Sequence, residues 1–217
     1  MQASHWRNYR ATIIVSVVVV LAYVFPTMSQ WLQLDFDAVA QGQWWRIWTG
    51  HLTHYDGGHL FWYLLMFATL GAACERRHPS LFLPAILLIV AVISASIGLL
   101  CDGISSYRGL SGLDTGLFVW FVGDQCRQCC FRRERFAAML WLMPVVGLIG
   151  KLLFEATTGQ TLFVDSTAFT PLVESHIAGA TIGLMCSGTQ FQDDSSSQQI
   201  ESQTSSSQIV ICEITGD

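Results

Sequence analysis

The sequence predicts an all-α, polytopic membrane protein folded as a six-helix bundle. Three observations lead there. Of its 217 residues 52% are hydrophobic and only 12% charged, about half the charged share of a soluble domain. Apolar runs approaching the roughly 20 residues that cross a bilayer recur along the chain. The basic residues gather in alternate connections between those runs.

The first span is read at residues 11–29. Arg7 and Arg10 precede it, as they would a secretory leader, but no small-x-small site closes the run, Ala38 and Ala40 lying too far downstream. The span is therefore expected to be retained. The second covers 59–74. The third, 81–100, carries no charge. The fourth covers 109–122. The fifth, 136–154, has one charge, Lys151, expected to snorkel to the interface. The sixth covers 172–185. The second, fourth and sixth spans are shorter and more polar, and are expected to pack inside the bundle rather than against lipid.

Orientation is read from Lys and Arg. With six spans, Arg7, Arg10, Arg76, Arg77, Arg127, Arg132, Arg133 and Arg135 share one side, while Arg46, Arg108 and Lys151 lie on or near the other. That asymmetry predicts cytoplasmic N- and C-termini. The connection 30–58 holds Trp31, Trp44, Trp45 and Trp48, which favour the membrane interface. The connection 157–171 carries Asp165 and no basic residue. Residues 1–186 form the membrane domain. Residues 187–217, rich in Ser, Gln, Asp and Glu, are expected to be a disordered cytoplasmic tail, because such a composition cannot bury enough apolar surface to offset its ordering entropy. The run 209–214 is the apolar exception. Cysteines number seven. Cys126, Cys129 and Cys130 fall in the basic connection, with no second pair or suitably placed His to complete a zinc site, so free thiols are expected. Their place beside the membrane also suits acylation.

Polar or reactive groups within spans are costly and point to function. Gly109-Leu110-Ser111-Gly112, with Gly116 beyond, opens the fourth span. Small residues there permit close helix approach and leave the hydroxyl accessible, and a helix N-terminus offers free N–H groups to a developing oxyanion. His176, Gly179 and Gly183 share one face of the sixth span. A third cluster is Trp45-Arg46-x-x-Thr49 with His51, His54 and His59, and Tyr63 one turn beyond. Metal binding by this trio lacks the H-E-x-x-H pattern, and only Asp56 accompanies it. Packing glycines with an incidental serine, and a structural histidine, are the plain alternatives. Taken together, a hydroxyl and an imidazole on two glycine-lined faces suit a nucleophile activated by a base. No carboxylate is evident to orient the imidazole, so a dyad is expected rather than a triad.

These motifs, from about residue 43 to Gly183, resemble the rhomboid intramembrane serine proteases. Trp45-Arg46-x-x-Thr49, His54 and His59 look like that family's first-loop and second-helix signature. Gly109-Leu110-Ser111-Gly112 is similar to its G-x-S-G motif, and His176-x-x-Gly179-x-x-x-Gly183 to its sixth-helix motif. The resemblance implies six helices around a water-filled cavity open to the outer face. It also implies Ser111 as nucleophile and His176 as base, with the Ser111 and Leu110 backbone N–H groups and His59 stabilising the oxyanion. Tyr63 stands where the family usually has Asn. A lost oxyanion donor typically costs about 100- to 1000-fold in rate; either the Tyr63 phenol substitutes, or His59 and the backbone suffice, or activity is low, and the second is expected. Tyr107-Arg108-Gly109-Leu110-Ser111-Gly112-Leu113-x-x-Gly116 is most similar to the rhombosortase branch, although Asp114 and Thr115 replace an expected Leu-His. Asp114 is expected to line the cavity or to set helix packing. The substrates implied are membrane-anchored proteins ending in Gly-Gly, an apolar span and a basic end; no cofactor, metal or nucleic acid is implied. A catalytically silent relative that binds transmembrane helices is the alternative, with Tyr63 its best support. A transporter is disfavoured by the lack of an inverted repeat.

Overall fold

The computed structural model describes residues 9–161 and 172–189. The expected tail lies outside them from residue 190 onward, as do residues 1–8 and most of the connection before the last helix.

Helix α1 (Arg10–Val24) is followed at once by α2 (Pro26–Leu32), and the axis turns by 117° between them. Pro26 causes the break: it lacks an N–H to continue α1 but is well suited to open α2. The start of α1 is capped from another helix. Glu75 accepts hydrogen bonds from the backbone N–H groups of Ala11 and Thr12, both at 2.8 Å, and from the Thr12 hydroxyl at 2.7 Å, satisfying donors that a helix start leaves open.

Strand β1 (Leu34–Asp35) pairs antiparallel with β2 (Ser106–Tyr107), Leu34 opposite Tyr107. This short clasp ties the first connection to the residues just before the Gly109–Gly112 motif. Between the strands in sequence come α3 (Phe36–Ala40), α4 (Arg46–Thr49), a 3₁₀ turn (Gly50–Leu52), α5 (Gly57–Arg77) and α6 (Phe82–Leu100). After β2 come α7 (Ser111–Phe131), α8 (Arg135–Thr158) and α9 (Val173–Thr189).

The connection before α5 is held by buried side chains. Arg46 donates to the carbonyls of Gln30 and Gln33 at 2.9 and 2.8 Å and to the Gln43 side chain at 2.8 Å. Thr49 donates to the Leu32 carbonyl at 2.7 Å. His51 Nε2 meets the Val90 carbonyl and Ser94 Oγ on α6. The W-R-x-x-T-x-H stretch thus anchors the loop. Trp31 and Trp45 stack at 5.6 Å between centroids, and Trp31, Trp44, Trp45 and Trp48 stay exposed, as amphipathic rings at an interface would.

Each expected span coincides with a helix: the first with the bent α1–α2 pair, the others with α5 to α9. Three helices, α5, α6 and α8, are long and apolar enough to cross a membrane, and four if α1–α2 counts as one broken span. Helices α7 and α9 do not meet that measure among the described residues. Burial sorts the polar spans less simply than expected. Helix α7 lies inside, with Leu113, Leu117 and Trp120 in the core. Helices α5 and α9 are two-faced: Phe61, Trp62 and Leu65 on α5, and Ile177, Leu184 and Met185 on α9, are exposed. An apolar solvent lets a mixed helix bury its polar edge and leave the rest against lipid.

Candidate active site

Helices α7 and α9 approach until backbone meets backbone. A Cβ built on Gly179 would overlap the Gly112 carbonyl oxygen, and one on Gly183 the Gly116 carbonyl oxygen. In return, a Cβ at Gly112 would sit 2.9 Å from the Ser175 carbonyl oxygen, and one at Gly116 2.9 Å from that of Gly179. These four glycines are spaced so that one notch follows another along the crossing. No other residue type fits without pushing the helices apart.

This contact brings the two predicted reactive residues together. Ser111 is the first residue of α7, with the fully buried Leu110 at its N-cap position. Gly109 immediately before has φ +121°, a conformation that suits glycine. A Cβ there would lie 3.0 Å from His59 Cε1 and 3.2 Å from His59 Nε2, so the imidazole of His59 rests against the turn that presents Ser111. His59 is positioned by the start of α5, where Asp56 accepts from its backbone N–H at 2.8 Å. Tyr63 packs edge-on against the His59 ring at 4.8 Å. Ser111, His176, His59 and Tyr63 line one cavity of about 120 Å³, with Tyr55 and Tyr107 among its other walls.

A second, larger hollow of about 820 Å³ also reaches Ser111 and His176. It lies between α5 and α8, walled by Trp62, Met66, Phe118, Pro144 and Leu148. Asp114 lines it, almost wholly buried, with both carboxylate oxygens lacking hydrogen-bond partners in the described structure. Asp114 is not among the residues lining the small cavity of Ser111, His176 and His59, so its place is the apolar hollow rather than the water-filled cavity expected of it.

Two neighbours of the His176 ring were missed from sequence. Thr115 Oγ1 lies 2.9 Å from His176 Nδ1 and 2.9 Å from the Ser111 carbonyl oxygen. Glu155 Oε2 lies 3.7 Å from His176 Nε2 and 2.7 Å from Lys151 Nζ. Thr115 sits four residues after Ser111, on the same helical face, and that spacing was its signal. Glu155 sits four residues after Lys151, a spacing at which opposite charges meet on a helix. The snorkelling expected of Lys151 is corrected accordingly: its side chain is only 14% exposed and turns inward to the carboxylate. A buried counter-charge outweighs the distance to the interface.

Of the three histidines of the third cluster, His51, His54 and His59, only His59 lines the cavity. His51 is committed to α6. His54 packs edge-on to His59 at 5.0 Å between centroids. No group of three or more His, Cys, Asp or Glu side chains able to hold a metal ion occurs among the described residues.

The chain is similar to known proteins over much of its length. A family model described as Rhomboid domain matches residues 41–193. The chain is similar to the rhomboid protease GlpG of Salmonella choleraesuis (strain SC-B67), 30% identical over 143 residues, which is 61% of this chain and 51% of that protein. The rhomboid proteases GlpG of Salmonella newport (strain SL254) and Salmonella typhimurium (strain LT2) are 31% identical over the same length and shares. The chain thus spans about half the length of the curated relatives it matches.

Proposed function

The chain belongs to the rhomboid family, and from that premise we propose that it is an intramembrane serine endopeptidase using Ser111 and His176 as a catalytic pair. The observation that carries the reading is the glycine-notched α7–α9 crossing, which brings an alcohol and an imidazole to the wall of one small cavity. A serine hydroxyl is a poor nucleophile until its proton is taken. His176 accepts that proton as Ser111 Oγ bonds to the scissile carbonyl carbon, then hands it to the leaving amine as the C–N bond breaks. Water, deprotonated by the same ring, then releases the acyl group and restores Ser111. The oxyanion formed in each half faces the open N–H groups at the start of α7, those of Leu110 and Ser111, and the His59 ring held against Gly109. Tyr63 packs on His59 and supports its orientation.

The remaining parts of the proposal are finer. The six helical segments cross the membrane six times, both termini are cytoplasmic, and the cavity opens toward the outer face. The substrates are membrane-anchored proteins, of the class ending in Gly-Gly, an apolar span and basic residues, as in the rhombosortase branch. The apolar hollow between α5 and α8 reaches Ser111 from the side and suits an apolar substrate segment.

The test is co-expression with a reporter ending in Gly-Gly, an apolar span and Arg residues, comparing the native chain with Ser111→Ala and His176→Ala. Cleavage by the native chain alone is expected. Cleavage by a folded Ser111→Ala variant would end the protease reading. Failure of a fluorophosphonate to label Ser111 in the native protein would favour a silent helix-binding relative.

A further inference from the structure

We propose that Thr115 and Glu155 hold opposite nitrogens of the His176 ring. Thr115 sets which nitrogen carries the resting proton. Glu155 offsets the positive charge the ring gains when it takes the proton of Ser111. The proposal rests on the reading of Ser111 and His176 as nucleophile and base.

The first half follows from counting protons. A threonine hydroxyl has one to give. Thr115 Oγ1 sits 2.9 Å from the Ser111 carbonyl oxygen, the partner one helical turn back, and donates to it. The same oxygen lies 2.9 Å from His176 Nδ1. With its proton committed, the hydroxyl meets Nδ1 as an acceptor, so Nδ1 carries the hydrogen. The neutral ring then keeps its lone pair on Nε2, the nitrogen free to receive the Ser111 proton. Fixing a tautomer through the other ring nitrogen is how histidine bases are ordinarily oriented.

The second half concerns what that proton meets. Nε2 faces Glu155 Oε2 at 3.7 Å, too long for a hydrogen bond in the resting state but close enough for strong Coulombic coupling away from water. Glu155 is the one buried residue of α8, a helix otherwise set against lipid. Its Oε1 has no hydrogen-bond partner in the described structure. An apolar side chain would pack there without the desolvation that a carboxylate incurs. The other charged or titratable groups that line the two cavities with the ring are Lys151 on α8, Asp114 on α7, His59 and Tyr63 on α5, Tyr107 on β2, and Tyr55 and Arg108 in the connections. Lys151 pairs with Glu155 at 2.7 Å, which keeps the carboxylate aimed. The proton is conserved throughout: it leaves Ser111 Oγ, rests on Nε2 beside Glu155, and departs on the leaving amine.

The test uses the full chain in detergent micelles and a fluorophosphonate, which reports on Ser111 without knowledge of the natural substrate. Saturation kinetics separate the maximal labelling rate from the half-saturating concentration. For Thr115→Val and Glu155→Gln the maximal rate should fall roughly 10- to 100-fold, part of what general base catalysis supplies, with little change in half-saturation; Thr115→Val should keep the native melting temperature, whereas Glu155→Gln, which leaves Lys151 without its partner, should melt lower and is labelled well below its own melt. Thr115→Ser, which keeps the hydroxyl, should recover most of the rate. Native-rate labelling of Thr115→Val, or a folded Thr115→Ser as slow as Thr115→Val, would overturn the tautomer role. Native-rate labelling of Glu155→Gln would overturn the counter-charge role. Should Glu155→Gln fail to fold, the double variant Lys151→Met/Glu155→Gln removes the pair as a unit and carries the same expectation. A native chain that does not label at all would instead bring down the Ser111–His176 reading itself.

Discussion

Helices α7 and α8 adjoin in sequence and in space, and they invert the usual relation between apolarity and burial. Helix α8 has the composition of a span, with Phe136, Met139, Leu142, Met143, Val146 and Leu153 exposed and only Glu155 buried. Helix α7 carries Ser111, Asp114, Thr115, Asp124 and three glycines, falls short of a span by composition, and is the better buried of the two. In water the hydrophobic effect would sort them the other way. Lipid tails remove that drive, leaving close packing and polar partnerships to decide what goes inside. In this fold a polar or small residue in an apolar run therefore marks the interior, and the site is built where such residues concentrate.

The largest effect should come from filling the notch that Gly179 leaves on α9 for the α7 backbone. Gly179→Val places branched carbons where the Gly112 carbonyl oxygen now sits. Backbone cannot yield as a flexible side chain can. Overpacking against side chains that can yield costs about 1–3 kcal/mol; here the obstacle is backbone, so the cost should exceed that range, and the expectation is loss of folded protein, with Gly179→Ala intermediate. A thermal melt in detergent checks both. Native-like melting of the valine variant would mean that the α7–α9 crossing is looser than the structure has it.

Next comes the ion pair that sets α8 apart. Lys151→Met strands the Glu155 carboxylate, and breaking one side of a buried pair costs about 3–5 kcal/mol. Lys151→Met combined with Glu155→Gln should regain most of that stability, because both charges are gone. The cycle is read from melts of the native, two single and one double variants. Equal melting temperatures for all four would mean that the pair is solvated, and α8 would then be a plain lipid-facing helix.

Much of this was legible because polar interruptions stand out against apolar sequence. Ser111 and His176 announced themselves by glycines at helical spacing. All six helical segments were readable from hydropathy. Glu155 was not, because the fifth span was closed one residue earlier, at Phe154, and Lys151 was taken as an end charge reaching for water. Its partner four residues on was the available signal. Thr115 was noted only as a departure from an expected motif, since a threonine in a helix ordinarily bonds its own backbone. The β1–β2 clasp was beyond reading: two residues per strand carry no periodicity. Pro26 lies within the first expected span, 11–29, where the chain bends and continues as α2.

A smaller effect extends the comparison to the buried imidazoles of the first connection. Burial lowers the His51 pKa to about 4, and burial together with nearby His59 lowers that of His54 to about 3. Both lie below the ordinary histidine value of 6.5. Between the folded and unfolded values the unfolded chain binds more protons, so stability is full above about pH 6.5 and falls as the pH drops toward 4 and 3. From pH 7 to pH 5 each histidine contributes a loss of up to about 2 kcal/mol. Melts of His54→Gln across that range should show a shallower pH dependence than the native chain, whatever the absolute stability of the variant. Parallel curves would mean that His54 is hydrated in the folded protein.

The smallest effect should come from the outward face of α8. Leu142 is more than half exposed, and in a bilayer its side chain exchanges lipid contacts in the folded state for lipid contacts in the unfolded one. Leu142→Ala creates no cavity, because acyl chains close over the missing atoms. In the interior the same truncation costs about 2–5 kcal/mol; here a change within about 0.5 kcal/mol is expected, as for surface positions generally. Leu117→Ala on α7, where Leu117 is fully buried, is the control and should show the interior value. If Leu142→Ala instead costs as much as Leu117→Ala, then the outward face of α8 is covered by protein, and the assignment of α8 to the lipid boundary fails while that of α7 to the interior stands.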